Sequence, residues 1–191
     1  AREVKNLSYR KVLKEATKEG EKPMPFFVKF AIWVCVAVLY IAQTCPVFFR
    51  GYNGLGGEIT LPLIGVIISA LGVILEAASD SQKSAQKAVN PNMVATKGLF
   101  KMVRCPNYLG EIIFWTGVFV GSLNALRGVG QWITAVLGYI LIVFIMFNGA
   151  QRLDKRQEKH YGKMAEYRAY ADSTPIIIPL IPLYHIGKYK D

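Results

Sequence analysis

The 191-residue chain is 52% hydrophobic with a mean hydropathy of +0.28, yet it carries a formal net charge of +10. Its apolar residues arrive in blocks too long for the core helices of a soluble globule, and the length sets one domain. Three cysteines, Cys35, Cys45 and Cys105, form an odd set without metal-ligand spacing, which argues against a disulfide framework. The basic residues gather at the ends of the apolar blocks and so point to a membrane face rather than to nucleic acid.

Residues 1–25 read as a charged arm. Its first 22 residues hold seven Lys or Arg and four Glu, and they predict no cleavable leader because no short apolar core stands among them. A surface-lying helix and a solvated arm both fit this composition. Residues 26–191 read as the membrane domain. The first span is expected at 26–49, long enough for a hydrocarbon core of about 30 Å, with Lys29 reaching to the interface. Pro46 and the glycine-rich run from Arg50 to Gly57 end it. Residues 59–77 form the second span, whose Gly and Ser positions suit close helix packing. Its helix continues past the membrane face, because Glu76, Asp80, Lys83 and Lys87 recur at steps of four, three and four and share one face. Asn90-Pro91-Asn92 then breaks it.

The third and fourth spans are expected at 109–126 and 129–148, joined by a tight turn that makes them antiparallel neighbours. Residues 150–172 have a polar helical pattern with Leu153, Tyr161, Met164 and Tyr167 on one face, an amphipathic helix outside the hydrocarbon. The tail 176–184 is too short and proline-broken to cross and is placed at the interface. The fold class is therefore all-α, an integral membrane bundle of about four transmembrane helices with a cytosolic amphipathic C-terminal helix. Seven basic residues fall in the arm, five in the 76–111 connection and eight after Gln151, against one each in the other two connections. The positive-inside rule then puts both termini and the 76–111 loop in the cytoplasm of a multi-pass protein.

The sharpest local signal is Arg104-Cys105-Pro106-Asn107-Tyr108-Leu109-Gly110-Glu111. Pro106 suits the first helical position, so the helix start, beside Arg104 and Lys101, offers free N–H groups and a positive dipole end to an anion. Asn107 and Glu111 lie one turn apart at a depth where an ionisable group is costly and marks a functional candidate. The plainer alternative is a helix cap with an ion pair holding the second and third spans together. Cys105 beside Arg104 is either an acidified thiol or a turn-filling residue. His160 and His185 lack partners at metal spacing and read as solvated or interfacial, and no metal site is expected. Trp33, Trp115 and Trp132 read as belt or packing residues.

The pattern Glu76-x3-Asp80-x-Gln82-Lys83-x3-Lys87, then Gly98-Leu99-Phe100, then Arg104 to Glu111 and Trp115, resembles the steroid 5-alpha-reductase superfamily, in its bacterial uncharacterised branch. The tail resembles the family's closing pattern at Tyr161-Gly162, Tyr167, Tyr170, Thr174 and Ile178-Pro179. The resemblance covers residues 70–185. It implies an all-helical membrane fold with a cytosol-facing NADPH cavity, in which Asp80, Arg104, Asn107, Glu111 and Tyr161 contact the cofactor. The charges of Lys83 and Lys87 can meet its phosphates, and Tyr108 completes the candidate cofactor-binding set. The implied activity is reduction of an enone double bond in a steroid or other hydrophobic, lipid-like substrate. No Gly-x-Gly-x-x-Gly is present, so a dinucleotide is held otherwise than in a Rossmann fold. The family's carbonyl-polarising Glu and Tyr come from helices before the shared block. Tyr40, Tyr52 and Glu58 are the local candidates here, and they leave the catalytic residues unassigned. The same grouping contains isoprenylcysteine and phospholipid methyltransferases, whose Arg-His-Pro-x-Tyr has His at the position of Cys105. S-adenosylmethionine is thus the alternative cofactor. A non-catalytic subunit docked on a protein partner is the third reading.

Overall fold

Long apolar blocks with few breakers become long helices, and the end of each helix here can be traced to a residue. The computed structural model describes residues 25–54 and 58–185. It is all-helical, 77% helix, with no strand among the described residues. Among the described residues five α-helices follow in order: α1 (Phe26–Tyr52), α2 (Thr60–Val89), α3 (Pro106–Val120), α4 (Gly128–Tyr161) and α5 (Ala165–Ser173), with 3-10 turns at Gly98–Lys101 and Leu123–Ala125. Three of them, α1, α2 and α4, are long and apolar enough to cross a membrane, which makes this a multi-pass membrane protein. The expected arm lies outside the described residues up to position 24.

The chain falls into two compact units, Ala1–Val38 and Leu39–Asp191, divided within α1. In the first, Phe26, Phe27 and Trp33 are strongly exposed, as side chains facing lipid should be. The second contains everything that follows.

Three boundaries differ from those expected. Pro46 does not end the first span but lies buried inside α1, which runs on to Tyr52. The segment expected as a third span, 109–126, is the 15-residue α3, about 22 Å long at 1.5 Å per residue. It is not among the three helices long enough to cross, so the described residues hold three candidate spans where about four were expected. The helix starts three residues earlier because Pro106 is accommodated at the first helical position. The fourth does not end near residue 148. Nothing between Asn148 and Tyr161 interrupts the helix, so α4 runs on for 34 residues, about 51 Å, until Gly162. The expected amphipathic helix at 150–172 is thus the polar half of α4 plus the short α5.

Glycines bring α2 and α3 into backbone contact and fix their register. A Cβ on Gly65 would lie 2.5 Å from Gly117 O, and one on Gly72 would lie 2.5 Å from Phe114 N. Ser69 Oγ donates to Phe114 O across the same seam at 3.0 Å. The helices are therefore antiparallel, and Gly110 lies against Glu76, 2.9 Å from its backbone nitrogen to a hypothetical Cβ. This register places the first turn of α3 where α2 passes from apolar to polar.

Beyond that level the polar halves of α2 and α4 carry a headpiece. Cys105, Ala150, Ile176 and Ile177 form one buried cluster, and Val94, Tyr167 and Ala171 form another. The tail is tied in by Arg104 N–H donating to Pro175 O and Cys105 N–H donating to Ile176 O, both at 2.8 Å. Ile176 and Ile177 are thus core residues rather than an interfacial surface. The tail is exposed at its tip, Leu180 to Pro182, where Leu180 has a φ of 68°, unusual for a residue with a Cβ. At the opposite end of the bundle, Arg50 donates to Gly121 O (3.1 Å), Asn124 Oδ1 (2.7 Å) and Glu58 O (3.0 Å). Glu58 caps α2 by accepting from the Thr60 and Leu61 N–H groups, so its carboxylate serves the fold.

Candidate functional site

The α2–α3 register gathers a polar ledge at the inner edge of the headpiece. Glu76 and Asp80 come from α2, Asn107 and Glu111 from α3. The Glu76 carboxylate lies within electrostatic reach of those of Glu111 and Asp80. Glu111 is half-buried and accepts from Trp115 Nε1 at 3.2 Å. Asn107 is half-buried, and its amide makes no hydrogen bond with the described residues. Asp80 is exposed. Such a ledge can accept from hydroxyl and amide N–H groups, and its Asn107 amide can also donate.

Arg104 is placed differently. It is 4% exposed, and its Nη1 pairs with Asp154 Oδ1 of α4 at 2.7 Å. Its Nη2 donates to Tyr184 O of the tail. The Tyr167 hydroxyl lies beside the same guanidinium, and Arg104 Nε has no well-formed protein partner. Burial pushes the Tyr167 hydroxyl up to about 12, against the opposing pull of Arg104. Tyr170 is also raised by burial and donates to Phe100 O at 2.7 Å. The Cys105 thiol, 3% exposed, is pushed up to about 12 by burial, which outweighs Arg104 and Lys83 nearby. It is a turn-filling residue, not an acidified one. An ion pair does hold the motif, but it joins the loop to α4 rather than to the second span.

The remaining expected residues form separate contacts. Lys87 Nζ donates to Tyr161 Oη at 3.0 Å and to Pro91 O at 3.1 Å. Tyr108 packs its ring against Gly149 and lies near Arg152 and Arg156 of α4. Lys83, half-buried, lies near Cys105. The structure therefore brings Asp80, Asn107 and Glu111 together, pairs Lys87 with Tyr161, and takes Arg104 into the headpiece core. Glu76, Asp154, Arg152 and Arg156 are additions to the expected set. The step of four from Glu76 to Asp80 already marked the first; nothing local marks the α4 residues, which depend on how α4 packs. Of the two histidines, His160 faces Arg156 O and His185 Nε2 lies 3.0 Å from Asp172 Oδ1.

An apolar cavity of about 470 Å³ opens between α1, α2 and α3, lined by Val47, Gly65, Ser69, Val73, Phe114 and Gly117 among others. Its inner end at Val73 and Phe114 stands three residues from Glu76 and Glu111 respectively. That separation is one helical turn, about 4.5 Å of rise. A polar ledge and a bilayer-facing apolar cavity thus adjoin along the same two helices.

A family model described as a protein of unknown function, DUF1295, matches residues 3–174. An uncharacterised protein of Schizosaccharomyces pombe (strain 972) is 38% identical over 82 residues, which is 43% of this chain and 28% of that relative. The chain therefore matches well under half of that relative's length. No solved structure matches significantly.

Proposed function

This chain belongs to the DUF1295 family, proteins of unknown function associated with steroid 5-alpha-reductase-like proteins, and from that premise we propose a membrane-embedded, NADPH-dependent reductase of a carbon–carbon double bond conjugated to a carbonyl in a lipid-like substrate. The observation that carries the proposal is the adjacency of ledge and cavity. A polar cofactor head and an apolar substrate need opposite surroundings, and here the two surroundings are one helical turn apart on α2 and α3.

The donor set fits the cofactor in part. Asn107, Glu111 and Asp80 offer acceptors and an amide to a carboxamide and ribose hydroxyls. Phosphates require the cationic side, where Lys83, Arg152 and Arg156 stand near the start of α3. Arg104 does not fit a phosphate role in this arrangement, because its charge is matched by Asp154 inside the headpiece. When bound, the cofactor supplies a hydride. The chain's contribution is to orient it, to hold the two reactants together and to keep water from the apolar side. Both termini and the headpiece face the cytoplasm in this reading, and substrate enters from the bilayer.

The three neighbouring carboxylates also favour a cationic sulfonium, which supports S-adenosylmethionine-dependent lipid methylation as a second reading. Purified protein titrated with NADPH and, separately, with S-adenosylmethionine separates the two by thermal shift. Saturable stabilisation by NADPH, lost in Glu111→Ala, is the expected result. Stabilisation by S-adenosylmethionine alone selects the methyltransferase, and an unchanged NADPH response in Glu111→Ala rejects the ledge as the binding site.

A further inference from the structure

Gln43 lies in the interior of α1, nine residues before its end, about 14 Å along the axis. It is 4% exposed, and neither its Nε2 nor its Oε1 finds a hydrogen-bond partner among the described residues. In a hydrocarbon layer such an amide costs several kcal/mol unless something satisfies it. Three features next to it are polar or backbone-open. Pro46 has no N–H, so the carbonyl of Ala42 lacks its regular helical donor. Gly138 of α4 packs against that carbonyl, since a Cβ there would fall 2.4 Å from Ala42 O. Tyr139, the next residue, shares a 2.8 Å hydrogen bond with Thr116 Oγ1. Thr116 already donates to Ile112 O at 2.7 Å, so Tyr139 is the donor to Thr116 and its own oxygen remains an acceptor.

Gln43, Tyr139, Pro46, Trp115 and Phe119 line a small internal cavity of about 10 Å³. That volume matches the space one water needs, and an organic ligand group does not fit it. We propose that this cavity is a binding site for a single ordered water joining α1 to α4, whose Tyr139 in turn bonds Thr116 of α3. The water accepts from Gln43 Nε2, donates to Gln43 Oε1 and donates to Tyr139 Oη. It thereby has the two to four partners that buried waters keep, and the proline-opened turn of α1 is held by a polar bridge. The inference is independent of the cofactor reading.

Two measurements test it on the full chain in lipid nanodiscs. A high-resolution experimental map of the wild type is expected to show one water-sized peak within hydrogen-bond distance of both Gln43 and Tyr139. A map with no such peak overturns the proposal. Thermal unfolding of Gln43→Met, Tyr139→Phe and the double variant supplies the second test. One water shared by both side chains is lost only once, so the double variant's Tm shift should differ from the sum of the single shifts by about 2 °C or more. Additive shifts overturn the proposal. Should the variants fail to fold, the wild-type map decides alone.

Discussion

The eight residues from Arg104 to Glu111 divide into two regions that use their polar groups differently. In the first, Arg104 is buried, ion-paired to Asp154 and hydrogen-bonded to the tail, while its backbone and that of Cys105 hold Pro175 and Ile176. In the second, Asn107 has no hydrogen-bond partner among the described residues and Glu111 has one indole N–H. A buried, ion-paired cation holds a fold together. An amide left free at a half-buried ledge is available to something else. The difference shows that charge type alone does not sort structural residues from binding residues; the packing partner does.

Removing the partner from the ion-paired half should have the largest effect. Asp154→Ala leaves the Arg104 charge buried and uncompensated, which costs about 3–5 kcal/mol. Reversible unfolding of the purified protein measures it, and a loss below about 1 kcal/mol would mean that Arg104 reaches water and remains available to phosphate. The register that builds the second half is tested next. Gly72→Ala sets a Cβ 2.5 Å from Phe114 N and should cost about 1–3 kcal/mol by overpacking. Gly130 has open space around it and no positive φ, so Gly130→Ala should be neutral or slightly stabilising. Equal effects at the two glycines would refute the α2–α3 seam as the element that sets the ledge.

Much of this division was legible in the sequence, and the physical reasons for the rest are local. Apolar blocks, Pro106 and the break at Asn90-Pro91-Asn92 are read directly as helix starts and stops, and the 3.6-residue period puts Glu76 and Asp80 on one face. Gly121 and Gly162, which end α3 and α4, lie inside the expected 109–126 and 150–172 segments and carry no such signal. The choice between an anion site and a structural ion pair at Arg104 was not legible. It turns on Asp154, 50 residues away, and no local pattern distinguishes that carboxylate from Glu158 one turn later. The burial of Ile176 and Ile177 was hidden for the same kind of reason. A short proline-broken apolar segment suits an interface or a core equally well, until the loop at Arg104–Cys105 supplies the N–H groups that hold it.

The buried half should also carry a signature at alkaline pH. The Cys105 thiol is raised by burial from 9.0 to about 12, and Tyr167 from 10.0 to about 12. Both values are higher in the folded state, so the unfolded chain releases these protons first. The stability they contribute is complete below pH 9 and is lost progressively as pH rises towards about 12. A Tm profile from pH 8 to 12 should therefore fall, and Cys105→Ala should delay the onset from about 9 to about 10, where tyrosine begins to ionise. An unchanged onset would place the thiol in contact with solvent.

The smallest effect on stability belongs to the free half, and there the smallness itself is informative. Asn107→Ala removes an amide that bonds to none of the described residues, so unfolding should change by no more than about 0.5 kcal/mol. If the ledge orients a nucleotide, the same variant loses a hydrogen bond of about 1 kcal/mol and its NADPH affinity falls by roughly five- to tenfold. A stability loss of several kcal/mol would show that Asn107 is a structural cap for α3 and would join the two halves of the motif into one. Wild-type affinity at wild-type stability would leave Glu111 without its neighbour as a ligand, and would move the cofactor's polar contacts toward Asp80 and Glu76 on α2. The comparison thus rests on the separation of two readouts, stability for Arg104 and binding for Asn107, in residues three positions apart.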